Sequence, residues 1–452
     1  MSKKNRGISI IVIIALILAV FLPGCSGNKD EPQIPSETSA VSTPSEQVSN
    51  DPLLDKKVTL TFWNQWADPV AEPSTLTFRQ VQEEWNALYP NIKIEVDSTP
   101  SANSAYKTKL KTAIASGMAP DIFMTSHGSF SMPFVSGGDL LCLDDYLKGD
   151  ALKGIMSGVM QSATYGGKIY GLPFFQHASF LFCNSELFES NNISYPTTYD
   201  ELISVSKQFR DLGITPIALG LKEKWPSSHW FEAAAIKGAG NQYVVDALEK
   251  KASFDNPMII KAAKAIQDLG NAGAFEKGAL GLSYFESTAA FQQGQAAMVE
   301  AGTWDMPAFE ADNVPVKGKV KLLNWPTLED GNGSSTDLWG GPYEHFSISA
   351  KCAEPDVAFA YMMFLSKNIS KFSFINGNGL PVWELDEGTK TKSPLFAQAL
   401  ELTKDVTSMT SGWSFYFASD ASPLYQDRCV ELINNLITPE EFAKQLQLIH
   451  NK

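Results

Sequence analysis

Few residues of this chain have the spacing that known catalytic motifs require. There is no G-x-S-x-G nucleophile elbow and no H-E-x-x-H zinc helix, and neither Gly167-Lys168 nor Gly318-Lys319 is followed by the Ser or Thr of a phosphate loop. Gly377-Asn378-Gly379 lacks the third glycine of a dinucleotide-binding fingerprint. The histidines show no spacing typical of a catalytic triad, and they stand at positions 127, 177, 229, 345 and 450. The sequence therefore predicts no enzyme, although its 50 carboxylates leave a glycosidase-like acid pair open, since no spacing selects any two of them.

Side chains suited to non-covalent recognition are abundant instead. The chain contains 10 Trp, 13 Tyr and 27 Phe, and Trp63-Asn64-Gln65-Trp66 places two aromatic rings and two amides in four consecutive positions. An aromatic ring offers a flat apolar face, and an amide both donates and accepts hydrogen bonds. This combination suits a solute that has an apolar face and a hydroxyl-bearing edge.

Hydrophobic periodicity predicts the elements that would position these side chains. Apolar residues alternate at 58–62 and 92–96, as in strands, and recur at three- and four-residue spacing over 78–88 and 106–114, as in helices. An apolar strand follows at 122–124. Strand and helix in alternation favour a parallel sheet with crossover helices, in which ligand groups collect in loops at the strand ends.

The alternation of helices and strands recurs in the second half of the chain. Thr198 and Glu201 have the spacing of a capping box at a helix start, and Pro355 suits the first turn of another helix. With 452 residues the chain is long enough for two or three domains of ordinary size. The economical prediction is an α/β protein with two lobes.

The formal net charge is −14, from 36 basic and 50 acidic residues. Nucleic acids and anionic membrane surfaces attract dense Lys and Arg, so this balance argues against a broad surface for either partner. We expect no nucleic-acid partner.

The first 55 residues differ from the rest. Lys3, Lys4 and Arg6 precede an apolar run over 8–22, which suits a secretory signal and is shorter than a membrane-spanning helix. The following residues, 22–25, read Leu-Pro-Gly-Cys and resemble a bacterial lipobox, which implies removal of residues 1–24 and lipidation of Cys25. An uncleaved N-terminal anchor is the alternative. Residues 25–55 are rich in Ser and Pro and are expected to form a flexible linker, so the body would be held outside the cell membrane by lipid alone.

The remaining cysteines give no evidence for a metal or redox site. Cys142, Cys183, Cys352 and Cys429 form no C-x-x-C pair, and no His lies at metal-ligand spacing, so we expect neither a metal nor a cofactor. An oxidising compartment allows a disulfide whose partners the sequence does not assign. We favour buried free thiols, because a chain of this size needs no covalent cross-link.

A series of short segments, in order along the chain, carries a family resemblance. The sequence resembles the extracellular solute-binding proteins of family 1, the lipoprotein receptors of ABC sugar importers, which include maltose-binding protein. The segments that carry the resemblance are 58–66, 115–122, 167–173, 182–188, 196–202, 291–298 and 302–304.

The resemblance implies a two-lobed fold of the periplasmic-binding-protein type (type II). Each lobe would hold a central mixed sheet flanked by helices, and a hinge would join the lobes. We predict an N-terminal lobe from 56–174 and 323–366 and a C-terminal lobe from 175–322 and 367–452. The chain would cross between lobes near 172–176, 322–325 and 366–370.

The resemblance also implies a function. A monomeric receptor would enclose a sugar, of two or more units, in the cleft between its lobes and deliver it to the permease subunits of an ABC importer. The candidate ligand-binding residues combine loop position with the resemblance, and they are Trp63, Asn64, Gln65, Trp66, Ser126, His127, Gln176, His177, Trp230, Trp304, Gly341, Tyr343, Trp383 and Trp413. Two alternatives stay open at this point: a receptor for a non-sugar solute, such as an amino-acid derivative or a polyamine, and a secreted lipoprotein glycosidase.

Overall fold

The structure is a computed structural model that describes residues 51–67, 74–100, 105–156, 158–406, 408–410, 412–418 and 420–451. The predicted signal peptide, Cys25 and the linker as far as residue 50 lie outside the described residues. The folded body is one unit that begins at Pro52.

The described residues form strands and helices in close alternation. The strands are β1 (Val58–Asn64), β2 (Ile92–Ser98), β3 (Ile122–Ser126), β4 (Thr164–Tyr165), β5 (Lys168–Ile169), β6 (Leu172–Pro173), β7 (His177–Asn184), β8 (Thr215–Ala218), β9 (Ala296–Gly302), β10 (Val320–Leu323), β11 (Asp337–Gly341), β12 (Glu344–Ile348) and β13 (Ser408–Thr410). The helices are α1 (Ser74–Leu88), α2 (Ala105–Ala115), α3 (Met132–Ser136), α4 (Ser185–Ser190), α5 (Tyr199–Asp211), α6 (Trp225–Ala239), α7 (Asn241–Leu248), α8 (Pro257–Asn271), α9 (Tyr284–Gln292), α10 (Met306–Phe309), α11 (Pro355–Asn376), α12 (Pro394–Thr403), α13 (Ser422–Ile433) and α14 (Pro439–His450).

The first lobe is built on a five-stranded sheet in the order β2-β1-β3-β12-β6. β1 is parallel to β2 and β3, as the alternation of strand and helix predicts, and β12 runs antiparallel to β3 and β6. One core holds this lobe together: Phe62 of β1 packs on Phe78 of α1, on Phe346 of β12 and on Tyr361 of α11. The sheet is therefore mixed and flanked by helices.

The second lobe is built on a sheet in the order β13-β11-β7-β9-β8, with β10 also paired to β7. Successive residues of its central strand β7 point to opposite faces. Leu181 and Cys183 enter one hydrophobic core, and Phe180 and Phe182 enter another. The sheet is buried on both faces, which explains the unbroken apolar run from Phe180 to Cys183 in β7.

The chain changes lobe at positions that differ in part from those predicted. The first passage lies between Pro173 and His177, because β6 belongs to the first sheet and β7 to the second. The third runs through α11, whose Ile369 belongs to the first-lobe core and whose Phe374 belongs to a second-lobe core.

The second passage does not lie near 322–325, where we placed it. After β10 the chain stays with the second lobe: Thr327 bridges Thr198, Asn332 N–H donates to Gly238 O over 2.8 Å, and β11 pairs with β7 and β13. It enters the first sheet only at β12. The segment 323–341 therefore belongs to the second lobe, and its backbone hydrogen bonds are the reason.

None of the helices in the described part of the chain is both long and apolar enough to cross a membrane. Its four cysteines are free; Cys183 and Cys429 are buried, whereas Cys142 and Cys352 are only half-buried. The prediction of buried free thiols therefore holds for two of the four.

Candidate functional site

A cavity of ≈ 570 Å³ lies where loops of the first sheet face loops of the second. Seven aromatic side chains line it: Trp66, Phe175, Trp225, Trp304, Trp339, Tyr343 and Phe415. Polar side chains stand between these rings, and they include Gln65, Ser74, His177, Ser228, His229, Glu232, Thr303, Glu344, Asn378, Ser414 and Gln426. A concave site with flat apolar walls and dispersed donors and acceptors is the usual form of a small-molecule binding site.

Trp304 is held in one orientation at the end of β9. The strand ends at Gly302, and the next three residues form a short 3-10 turn that carries the indole. The Trp304 Nε1–H donates to Tyr284 Oη over 3.2 Å, and the Tyr284 hydroxyl donates to Asp305 Oδ2. Burial raises the pKa of Asp305 to about 7. The ring is thus fixed before any ligand arrives, which lowers the entropy cost of binding.

Trp339 is fixed by a buried carboxylate. Its Nε1–H donates to Glu232 Oε2 over 2.6 Å, and Glu232 also accepts from Trp413 N–H over 3.1 Å and from the Tyr425 hydroxyl over 3.0 Å. Burial raises the pKa of the Glu232 carboxyl above its usual range, and its hydrogen-bond donors oppose that shift. Glu232 therefore ties α6 to β11, to the turn at 413–415 and to α13.

His229 joins a second buried carboxylate to the aromatic wall. Its ring centroid lies 4.1 Å from that of Trp339, and its Nδ1 is 3.2 Å from Glu300 Oε1. The Ser179 hydroxyl donates to the same Glu300 oxygen over 2.6 Å. Glu300 is thus partnered from both sides.

His177 and Tyr343 form a stack on another side of the cavity. The two rings are 5.6 Å apart at 27°, and Tyr343 in turn stacks on Phe415 at 5.5 Å and 29°. His177 Nδ1 lies 2.7 Å from Thr303 Oγ1. Burial lowers the pKa of His177 to about 4, so the imidazole is neutral near pH 7 and presents one donor and one acceptor.

Five of the predicted ligand-binding residues line the cavity, and they are Gln65, Trp66, His177, Trp304 and Tyr343. Trp66 is only 4% exposed, because its ring packs edge-on against Phe174 at 5.2 Å. Its backbone N–H is held by Asn64 Oδ1 over 2.8 Å. Trp66 thus lines the cavity while almost fully buried, whereas Trp304 is only half-buried.

Four other predicted residues of the first lobe lie beside the cavity, outside its lining. The Trp63 ring packs under Lys109 Nζ at 4.2 Å, and Asn64 is buried in the turn that it caps. Ser126 is buried, with its carbonyl accepting from Ser131 over 2.6 Å. The His127 ring is buried and packs against the Phe415 ring, with 4.3 Å between the two ring centroids.

The predicted residues at the lobe junction also lie outside this cavity. The Gln176 side chain donates to Pro381 O over 2.9 Å, and Gly341 pairs with His177 through the backbone. Both residues line a separate space of ≈ 30 Å³. Their positions indicate a structural role at the junction.

Three predicted tryptophans are buried in cores. Trp230 packs between Phe275 at 5.1 Å and Trp325 at 4.9 Å, on the face of α6 away from the cavity. The Trp383 indole donates to Ser366 Oγ over 2.8 Å. Trp413 is fully buried, although Ser414 and Phe415 beside it line the cavity. For these three the prediction of the cleft is wrong in position, because a tryptophan in a large protein packs a core as readily as it lines a cleft.

One face of α6 lines the cavity but was not among the predicted ligand-binding residues. Trp225, Ser228, His229 and Glu232 of α6 all line the cavity. Their offsets of three, four and seven residues are those of one helix face. The sequence contains a pattern that could have identified this face, because polar and aromatic residues recur at helical spacing in a stretch that is otherwise rich in Ala. Asn378, Ser414 and Gln426 were also missed, and they carry no comparable pattern.

The charge of the lining is negative. Among the described residues that line the cavity none is Lys or Arg, while Glu232 and Glu344 are carboxylates. Aromatic side chains outnumber these two carboxylates by seven to two, so stacking and hydrogen bonding dominate what the cavity offers.

Comparison with known proteins gives the family. The family model described as bacterial extracellular solute-binding protein matches residues 71–370. An uncharacterized ABC transporter extracellular-binding protein of Pyrococcus horikoshii is 24% identical over 81% of this chain and 77% of its own length. The multiple sugar-binding protein of Streptococcus mutans is 23% identical over 73% of this chain and 76% of its own length.

Solved structures agree with this result. A structure described for xylan utilization by the thermophilic bacterium Caldanaerobius polysaccharolyticus is 40% identical, has a TM-score of 0.74, and is covered over 99% of its length by 86% of this chain. A chitin oligosaccharide binding protein shares the fold at 23% identity and a TM-score of 0.73, over 87% of this chain and 98% of its own. Because the family model spans more than half of the sequence, this protein belongs to the bacterial extracellular solute-binding proteins.

Proposed function

We propose that this protein is the lipid-anchored receptor of an ABC carbohydrate importer and that its ligands are oligosaccharides derived from xylan. The observation that carries the proposal is the aromatic cavity wall, in which Trp304 and Trp339 are each fixed by a hydrogen bond from the indole N–H. Such rings suit the apolar faces of sugar units, and the polar side chains between them suit the hydroxyl groups.

Xylan is chosen among glycans because of one relative. The structure described for xylan utilization is 40% identical to this chain over most of both lengths, whereas the chitin oligosaccharide binding protein is 23% identical. The maltotriose-binding protein of Pyrococcus abyssi is 24% identical and is covered over 61% of its length. These two therefore support the general class of ligand and do not single out a glycan.

The cellular setting of the proposal follows from the sequence. Cys25 would carry the lipid, the linker 25–55 would hold the body at the extracytoplasmic face of the cell membrane, and a monomer would deliver sugar to the permease. An uncharacterized lipoprotein of Streptomyces antibioticus is 23% identical over 74% of this chain, which supports the anchor. Mass spectrometry of protein extracted from membranes would test it: replacing Cys25 by Ala should abolish the lipid mass and release the protein.

The test of ligand class is a titration of the protein lacking residues 1–26. Xylobiose to xylohexaose, maltotriose and chitotriose would be added while tryptophan fluorescence and heat are recorded. Saturable binding that is tightest for the xylo-oligosaccharides, with the sugar recovered unchanged, is expected. Trp304→Ala should weaken that binding by about 1 to 3 kcal/mol if the ring stacks on sugar.

The same titration separates the alternatives. Tighter binding of a polyamine or an amino-acid derivative than of any sugar would replace the proposal by a non-sugar receptor. The seven aromatic side chains against two carboxylates argue for the sugar. Release of shorter xylo-oligosaccharides during the titration would identify a glycosidase and overturn the proposal.

A further inference from the structure

Phe285 is an apolar side chain that folding leaves in water. It is 78% exposed, more than any other large apolar residue in the described part of the chain. The ring is in water before and after folding, so it contributes little to the stability of the fold.

The backbone that carries this ring is held in place by hydrogen bonds. Phe285 is the second residue of α9, whose first turn is closed by a capping box: Glu286 N–H donates to Ser283 Oγ over 3.2 Å, and Ser283 N–H donates to Glu286 Oε2 over 2.7 Å. The preceding residue is also fixed, since Tyr284 N–H donates to Glu223 Oε2 over 2.9 Å. A ring on such a turn loses little backbone freedom on binding.

The fold places Phe285 two ring contacts away from the lining of the ligand cavity. A turn at 293–295 reverses the chain between α9 and β9, so the start of α9 returns to the end of β9 that carries Trp304. The hydrogen bond from Trp304 to Tyr284 fixes this proximity. The Tyr284 ring lies 4.5 Å from that of the cavity-lining Trp225 and 5.8 Å from that of Phe285. Aromatic rings therefore continue from the cavity wall through Tyr284 to an exposed ring outside.

We propose that Phe285 is an outer subsite, on which a sugar unit stacks when a xylo-oligosaccharide is longer than the part that the cavity encloses. The inference rests on the proposed function and extends it: the ligands would include chains that leave the cavity across the rim. A solvated aromatic face two ring contacts from the cavity wall is a feature on which a sugar unit can stack.

A protein partner fits this surface less well. Stable protein interfaces bury about 800 Å² on each side around an apolar centre. Phe285 stands among charged residues instead: Glu286 follows it in the helix, and Lys222 lies near enough to Glu286 to lower the pKa of that carboxyl, after its hydrogen bonds from Ser283. One ring in such surroundings suits one sugar unit.

The test compares ligand lengths in Phe285→Ala and in the unaltered protein. Calorimetry with xylobiose and with xylohexaose should show unchanged affinity of the variant for xylobiose and about three- to tenfold weaker binding of xylohexaose. Phe285→Trp should retain the preference for xylohexaose. The matched control is Leu436→Ala between α13 and α14, which removes an apolar side chain that is 73% exposed, and it should alter neither affinity.

Three results would overturn the inference. The first is that Phe285→Ala and the unaltered protein bind both sugars with equal affinity. The second is that the variant loses affinity for both sugars to the same extent. The third is a loss of sugar uptake with unchanged binding, which would assign the ring to contact with the permease. Failure of the proposed function shows separately, because the unaltered protein would then bind neither xylobiose nor xylohexaose.

Discussion

The indole ring of Trp304 lies directly against the α-carbon of Gly302. A Cβ atom at Gly302 would come within 2.2 Å of Cζ3 and 2.3 Å of Cε3 of that ring. The backbone of Gly302, with φ −108° and ψ 176°, is extended and open to any residue. Glycine is therefore needed at this position for the space that it leaves, and that space lets the ring fold back over the end of β9 into the cavity wall.

Gly302→Ala should displace the Trp304 ring and weaken both sugar binding and the fold. We expect roughly tenfold lower affinity for xylohexaose and a loss of about 1 to 3 kcal/mol in the free energy of unfolding, typical of an overpacked site. Fluorescence titration and urea unfolding measure the two. Gly281→Ala is the control, because a Cβ there meets no atom within 4 Å. An unchanged affinity in Gly302→Ala would remove Trp304 from the ligand-binding wall.

Glu232 is expected to organise the cavity through the donors that it accepts. Glu232→Ala would leave Trp339 Nε1–H, Trp413 N–H and the Tyr425 hydroxyl without this acceptor. A buried donor without a partner costs about 1 to 3 kcal/mol, so the variant should unfold at clearly lower urea concentration.

Glu232→Gln is the matched variant for that experiment. Its amide oxygen still accepts from Trp339 and Trp413, while its NH₂ group donates to the Tyr425 oxygen, so most of the stability should return. Equal loss of stability in the Ala and Gln variants would show that charge, rather than hydrogen bonding, is what Glu232 supplies.

The sequence predicts the strands and helices of the first lobe well because they are local. Alternation over 58–62 marks most of β1, and the three- and four-residue spacing over 78–88 falls within α1. The local sequence does not determine which sheet a later strand joins. β11 and β12 are separated by two residues yet lie in different sheets, and β12 pairs with β3, more than two hundred residues earlier. Periodicity carries no information about such a partner.

The residues of the candidate site likewise fall into those that the local sequence predicts and those that only tertiary packing decides. Loops that follow strands supply Gln65 and Trp304, and strand-end reasoning finds these. His177 was predicted from its place at the lobe crossing, and it is the first residue of β7. Trp230 and Trp225 stand five residues apart on one helix, and only the docking of α6 decides which of the two faces the cavity. The composition of the helix is the same for both, so the sequence alone does not distinguish them.

Asp305 should make stability depend on pH in a defined direction. Burial raises its pKa from 3.8 to about 7, and the nearby Glu300 adds to the rise. Between pH 3.8 and about pH 7, Asp305 holds a proton in the folded protein that the same residue releases in the unfolded chain. The contribution of Asp305 to stability is therefore present near pH 4 and is lost as the pH rises to about 7.

Asp305→Asn removes this titration and keeps an acceptor for the Tyr284 hydroxyl. The free energy of unfolding of the variant minus that of the unaltered protein should therefore increase between pH 4 and pH 7, by a few kcal/mol at most. Taking the difference cancels the contributions of the buried histidines, which are common to both proteins. Urea unfolding at intervals of half a pH unit measures it, and a difference that stays constant with pH would contradict the raised pKa.

Two tryptophans of α6 should separate folding from binding. Trp230 packs fully buried on Phe275 and Trp325, so Trp230→Ala should cost about 3 to 5 kcal/mol of stability while the folded protein keeps its affinity for sugar. Trp225 is half-buried at the first turn and lines the cavity, so Trp225→Ala should lower affinity several-fold with a much smaller loss of stability. Because both variants remove the same side chain from the same helix, differences in helix propensity and in fluorescence background largely cancel between them. A loss of affinity in Trp230→Ala at a temperature where it is fully folded, or unchanged affinity in Trp225→Ala, would mean that the sugar approaches a different face of α6 from the one that the cavity presents.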